Sequence, residues 1–155
     1  MPYRQSLKRF SDQSWNAFVA EFHEVHDQSL MEGVVAGCAV VAYAEGWVTE
    51  EERRRMLGLI RGFEPISVFG MDDVLSYFEE LSIRFADDHD AAESEALAIV
   101  ARLRGRKRYP ELLVGACCSI AAADGGFDAE ERAGAARICH ALALNPADFD
   151  LADAR

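Results

Sequence analysis

The sequence predicts an all-α protein, a compact bundle of about seven helices built on two repeated helix-loop-helix units, and three observations predict it. Apolar residues recur every three or four positions along most of the chain, which is the helical period. Nowhere do apolar and polar residues alternate as they would along a half-buried strand. A third observation is internal repetition: CAVVAYAEGWVTEEER (residues 38–53) aligns without a gap on CCSIAAADGGFDAEER (residues 117–132) at a constant offset of 79 residues. Glu45 thereby answers Asp124, Gly46 answers Gly125, Thr49 answers Asp128 and Glu52 answers Glu131. In each copy an apolar helix ends in acid-Gly, a short loop follows, and a new helix opens on a capping residue with Glu three positions later.

The elements follow in order. In SWNAFVAEFHEVH the residues Trp15, Phe18, Val19, Phe22, Val25 and His26 form one apolar stripe, predicting a first helix over residues 12–28 that packs as a flap across the repeats. A second helix is expected over residues 29–44 and a third over residues 49–61, with Met56, Leu57 and Ile60 inward and Gly62 closing it. Pro65 then breaks the chain, and VFG is read as a lone extended segment. Val74, Tyr77, Phe78, Leu81 and Phe85 mark a fourth helix, and residues 91–103 a fifth. The basic linker GRKRY leads to Pro110, placed for the first turn of a sixth helix over residues 110–123. A seventh spans residues 128–142, and NPADFDL reads as a short terminal helix capped by Asn145 with Pro146 at its first position.

With 155 residues the chain is read as one domain over residues 12–155 behind a tail of residues 1–11, the repeat copies covering about 29–62 and 110–143. That length buries roughly two-thirds of the unfolded surface. Half of the residues are hydrophobic, yet no apolar run reaches the length of a membrane span, so insertion into a membrane is not expected. MPYRQSLKRF lacks the apolar core of a signal peptide, which predicts a cytoplasmic protein. The formal net charge of −11 repels phosphate and argues against nucleic acid, whereas divalent cations or basic partner surfaces suit it. Arginine clusters such as Arg53/Arg54/Arg55 and Arg102/Arg104/Arg106/Lys107/Arg108 are read as solvated helix faces. Cys38, Cys117, Cys118 and Cys139 show no CxxC spacing and sit among Ala, Val and Ile, as small core residues of a reducing compartment do.

The acidic loops carry the functional question. Thr49 and Asp128 are good N-caps, and Glu52 and Glu131 at N3 complete capping boxes, so these acids are expected on structural grounds alone. Glu45 and Asp124 differ, because each ends an apolar helix where the dipole disfavours a carboxylate. If the copies pack about a pseudo-twofold axis, Glu45, Glu51, Glu52, Asp124, Asp128 and Glu131 approach one another. Two carboxylates about 4 Å apart repel by about 4 kcal/mol at an effective dielectric of about 20, so such a cluster needs arginine partners or a divalent cation. Oxygen-only ligands point to Ca2+, Mg2+ or Mn2+. DGGFDAEE does not match an EF-hand loop, since Ala121 to Ala123 stand where acids are required.

The pairing of AYAEGWVTEEERRRM with AAADGGFDAEER, the CC upstream of the second copy and the LALNPADFDL tail together resemble the tellurite-resistance TerB family from about residue 12 onward. The resemblance implies a small, all-helical, cytoplasmic, non-enzymatic protein of systems that respond to tellurite and other chemical stress, acting as sensor or adaptor. Its partners would be other proteins of those systems, with a membrane-associated partner left open. It also implies metal binding by the acidic motifs, here Asp124, Asp128 and Glu131 in the second copy and Glu45 and Glu52 in the first, where Glu45 replaces the usual Asp. Short carboxylates and two glycines in the second loop, against Glu45 and bulky Trp47 in the first, predict that coordination leans on the second. Two other functions compete: a helical interaction module without metal, and thiol-dependent reduction of tellurite through Cys117 or Cys118. Against the latter, apolar surroundings raise a thiol pKa and suppress the thiolate.

Overall fold

The computed structural model describes residues 12–24 and 27–151, with the side chains of residues 12–15 and Phe18 excepted. Among them are seven α-helices and two 3-10 segments, with no strand. The helices are α1 (Asp12–Glu24), α2 (Gln28–Ala42), α3 (Glu50–Gly62), α4 (Met71–Asp87), α5 (His89–Ala101), α6 (Tyr109–Ala121) and α7 (Ala129–Ala141). The 3-10 segments are Glu64–Phe69 and Pro146–Phe149. The all-α expectation and the order of its elements match. Of the expected first stripe, Val25 and His26 lie outside the described residues and Trp15 and Phe18 outside the described side chains, as the tail of residues 1–11 lies outside altogether.

Helix α2 is the axis of the molecule. Its sequence QSLMEGVVAGCAVVA is apolar on every side, and 12 of its 15 residues are buried, as a helix surrounded by others must be. It packs against α3, α4, α5, α6 and α7. Asp27 caps its start by accepting from the Ser29 N–H at 2.8 Å and also holds Arg106 of the basic linker at 2.7 Å. That linker is therefore partly pinned rather than wholly solvated. Helix α6 crosses α2 closely because α2 offers glycine there: a Cβ on Gly37 would lie 2.6 Å from Cys117 Sγ, and one on Gly33 2.7 Å from Leu113 Cδ1. The Cys117 thiol donates to the Val34 carbonyl at 3.3 Å.

Helix α4 is amphipathic, and Val74, Phe78, Leu81 and Phe85 bury its inner face. Tyr43, just past α2, stacks on Phe78 and tilts against Phe85, with its hydroxyl 2.6 Å from Ser82 Oγ. His89, two residues before the expected start of the fifth helix, instead opens α5, meets Phe85 edge-on and places Nε2 2.8 Å from the Tyr43 carbonyl. It thereby covers one of the carbonyls that the end of α2 leaves without a helical partner.

Two further expectations change. The VFG stretch is not extended; it belongs to the Glu64–Phe69 turn, which Pro65 opens and which Gly70, at φ +88°, redirects into α4. Helix α1 is held by Phe22, fully buried and edge-on to Phe63 and Phe69, so it packs on that 3-10 segment. The terminal segment forms as expected, with the Asn145 side chain accepting from the Ala147 N–H at 3.0 Å.

Candidate functional site: an acidic cleft between the two copies

The two loops are built alike. The Gly46 N–H bonds the Tyr43 carbonyl and the Gly125 N–H bonds the Ala122 carbonyl, both at 3.0 Å. Both glycines hold positive φ, +107° and +82°, which L-residues with side chains resist. Three residues on, Thr49 Oγ1 accepts from the Glu52 N–H at 3.0 Å and Asp128 Oδ1 from the Glu131 N–H at 2.8 Å. Only the second copy closes the reciprocal bond, from the Asp128 N–H to Glu131 Oε1 at 3.1 Å.

What separates the copies is Arg55. From α3 it reaches across to the second loop, where Nε and Nη2 grip Asp124 Oδ2 and Oδ1 at 2.9 and 3.1 Å. Its Nη1 bonds Glu131 Oε2 at 2.7 Å and stands 3.5 Å from Glu52 Oε2, while Nη2 also donates to the Ala121 and Gly126 carbonyls. A planar fork with five donors suits this bidentate arrangement, which a lysine could not reproduce. The guanidinium and the Gly126 N–H resolve the oddity of an acid at a helix C-terminus. Arg55 holds Asp124 below the usual carboxylate range, and the Asp124 hydrogen bond in turn raises Arg55. Glu131 is buried, and burial pushes its carboxyl up against the opposing pull of Arg55 and the Asp128 N–H.

The repeat counterpart of Arg55 is Gly134, again 79 residues on. A Cβ there would lie 3.2 Å from the Val40 carbonyl and 3.4 Å from Ala44 Cβ, so α7 presses its backbone onto the end of α2. Among the described residues no guanidinium answers Glu45 as Arg55 answers Asp124.

Between the copies lies a cleft of about 170 Å³, floored by Val41, Ala42 and Ala44 and edged by Trp47 and Thr49. Its walls carry Glu45, Glu51, Glu52, Asp128, Glu130 and Glu131. Four of the five predicted metal residues, Glu45, Glu52, Asp128 and Glu131, are thus brought together. The fifth, Asp124, is not; it faces Arg55. Sequence reasoning missed Glu130, although it is the repeat counterpart of Glu51 and the alignment already contained it. Both Glu131 oxygens are engaged, one by the Asp128 N–H and one by Arg55, and one Asp128 oxygen serves the cap. Among the described residues no three Asp, Glu, His or Cys side chains stand as a ready ligand set. A closed cage of protein ligands does not fit this arrangement.

The thiols lie elsewhere. All four cysteines are buried, burial drives Cys117 well above the ordinary thiol range, and it pushes Cys139 to about 12. Such groups carry almost no thiolate at neutral pH. No helix among the described residues is long and apolar enough to cross a membrane.

Comparison with known proteins accords with this architecture. The family model described as Tellurite resistance protein TerB matches residues 31–154, which takes in both acidic loops. A relative, the Tellurium resistance protein TerB of an Alcaligenes species, is 30% identical over 93 residues, spanning 59% of this chain and 76% of that protein. No solved structure matches the chain. With a family match over most of its length and the duplicated acid-Gly loops at its centre, the chain belongs to the tellurite resistance TerB family.

Proposed function

We propose that the chain serves tellurite resistance as a non-catalytic sensor or adaptor that takes a divalent cation into the cleft between its copies and presents the altered face to a partner protein. The observation that carries this reading is the convergence of six carboxylates on one cleft of about 170 Å³. The acids not spent on caps or on Arg55 are Glu45, Glu51 and Glu130, together with the second oxygen of Asp128. A cation at this place relieves their mutual repulsion and retains several of its waters. The geometry favours the weighting opposite to the one that loop chemistry suggests: Asp124 already has its cation in Arg55, while Glu45 has none among the described residues. Glu45 and Glu130 therefore lead.

The experiment is a titration with Mg2+, Ca2+ and Mn2+ followed by calorimetry and by Trp47 fluorescence in a Trp15→Phe background, since Trp47 edges the cleft and is 62% exposed. The Glu45→Gln/Glu130→Gln pair should weaken binding at least tenfold and Asp124→Asn little. Equal affinity in all variants, or no heat and no fluorescence change in the parent, removes the cation from the reading.

A further inference from the structure

A second and larger cleft, of about 450 Å³, opens between α1, α3 and α6, away from the carboxylates that line the first. Its size falls within the range of small-molecule sites, which are mostly apolar with a few placed polar groups. Val19, Leu59, Phe63 and Ile120 supply the apolar walls. Two features of this cleft have no explanation in the packing of the described residues.

The first is Ser119. It lines the cleft, only 3% of it is exposed, and its hydroxyl has no hydrogen-bond partner among the described residues. An unmet buried hydroxyl destabilises the protein unless something supplies the missing bond. The second is Gly58, in the interior of α3. Glycine is the least favourable helix residue after proline, and helix glycines are commonly retained where two backbones press together. Among the described residues nothing approaches within 4 Å of a Cβ built on Gly58 or on Gly62 one turn later, in contrast to Gly33, Gly37 and Gly134. Both glycines line the cleft, so what their missing side chains leave open is the cleft itself.

We propose that this cleft binds a small uncharged molecule with an apolar body and one hydroxyl, carbonyl or amide group, the body lying along the bare Gly58–Gly62 wall and the polar group meeting Ser119. The charge of the ligand follows from the lining. Among the described residues no Lys or Arg contributes to it, Glu64 stands there beside His23, and the whole chain carries −11, so an anion is disfavoured. The volume suits one compact molecule and is small for a docked helix, whose own diameter is about 10 Å.

The probe is Nile red, an uncharged fluorophore with a carbonyl group, titrated into the full chain with 1-octanol and octanoate as competitors. One saturable site is expected, displaced by 1-octanol and not by octanoate. Gly58→Met should weaken it at least tenfold without lowering Tm, because the new side chain enters open space on a better helix former. Ser119→Ala should weaken it about fivefold, the worth of one hydrogen bond, again with no loss of Tm because the hydroxyl has no partner to lose. Absence of saturable binding, or Gly58→Met binding as tightly as the parent, overturns the site. Displacement by octanoate as strong as by octanol overturns its uncharged character. A dimer in sedimentation that Gly58→Met dissociates assigns the cleft to a second copy instead.

Discussion

Replacing Arg55 by Met tests the central contact, because it keeps the aliphatic stem and removes the guanidinium. Its two principal carboxylates stand in different surroundings. Asp124 has a side chain 42% exposed, so its pair is screened by water and contributes about 0.2–1 kcal/mol. Glu131 has a side chain only 6% exposed, and stripping one partner from a buried ion pair costs about 3–5 kcal/mol. Arg55 is itself partly open, at 20%, and water entering the gap softens that loss, so about 3 kcal/mol overall is expected near neutral pH. For a chain of this size it corresponds to a fall in Tm of roughly 6–12 °C. The pH dependence has a definite sign. Asp124 is lowered from 3.8, so its contribution is present above 3.8 and is lost as pH falls through its folded value. Glu131 is raised from 4.5, so its ionisation costs stability as pH rises through and beyond 4.5, and without Arg55 that cost grows. The gap between parent and Arg55→Met is therefore widest near pH 7 and narrows as pH drops through 4.5 and then 3.8. Adding Glu131→Gln should restore about 2 kcal/mol at pH 7, since the amide oxygen still accepts from the Asp128 N–H and no charge remains buried. Urea unfolding of the three proteins at pH 7 and pH 4 measures all of this. A loss under 1 kcal/mol, or no rescue by Glu131→Gln, refutes the assignment of Arg55 as the clasp.

Other outcomes follow from the same structure. A divalent cation at a hundredfold excess over its Kd should add about 2.7 kcal/mol of stability, visible as a rise in Tm of roughly 5–10 °C, and an unmoved melting curve counts against the acidic cleft as a cation site. Asp128→Ala should cost about 2 kcal/mol and Thr49→Ala about 1, because only the second copy closes both bonds of its capping box; equal losses by chemical denaturation would contradict that difference. Gly134→Ala should destabilise by about 1–3 kcal/mol through pressure on the Val40 carbonyl, while Gly58→Ala should leave the fold as stable or more so. The four cysteines should react with a thiol reagent only as fast as the protein opens; rapid native-state labelling of Cys117 or Cys118 would reinstate thiol chemistry.

Helix type and order were legible because the signals are local. Thr49, Asp128 and Asn145 each cap the turn that follows them, and α4 repeats its apolar residues at helical spacing, whereas the cap at Asp27 was read as part of the first helix. The Glu64–Phe69 turn was not legible, since six residues opened by a proline are too few to show a period. The contact of His89 with the Tyr43 carbonyl was not legible either, because the two lie 46 residues apart. The acids of the cleft, Glu130 excepted, were found through the repeat. The clasp was not, because Arg55 sits two positions past the aligned block and its partner Asp124 lies 69 residues away in sequence. Extending the comparison to Arg55 and Gly134 shows that one copy carries a guanidinium where the other has no side chain. Which acid that arginine takes out of the cleft depends on three-dimensional packing.

The position of α2 has a consequence for cutting the chain. Trypsin acting within the exposed stretch of residues 104–108 would sever the molecule between its copies, yet it would not release two working halves. The N-terminal piece would carry a helix apolar all round, stripped of α6 and α7 and open to water on those sides. Such a fragment has to aggregate or find its complement. Co-expressed halves should reassemble into one folded particle while neither half alone stays in solution, the behaviour of two interlocked pieces sharing a single spine rather than of two beads on a string.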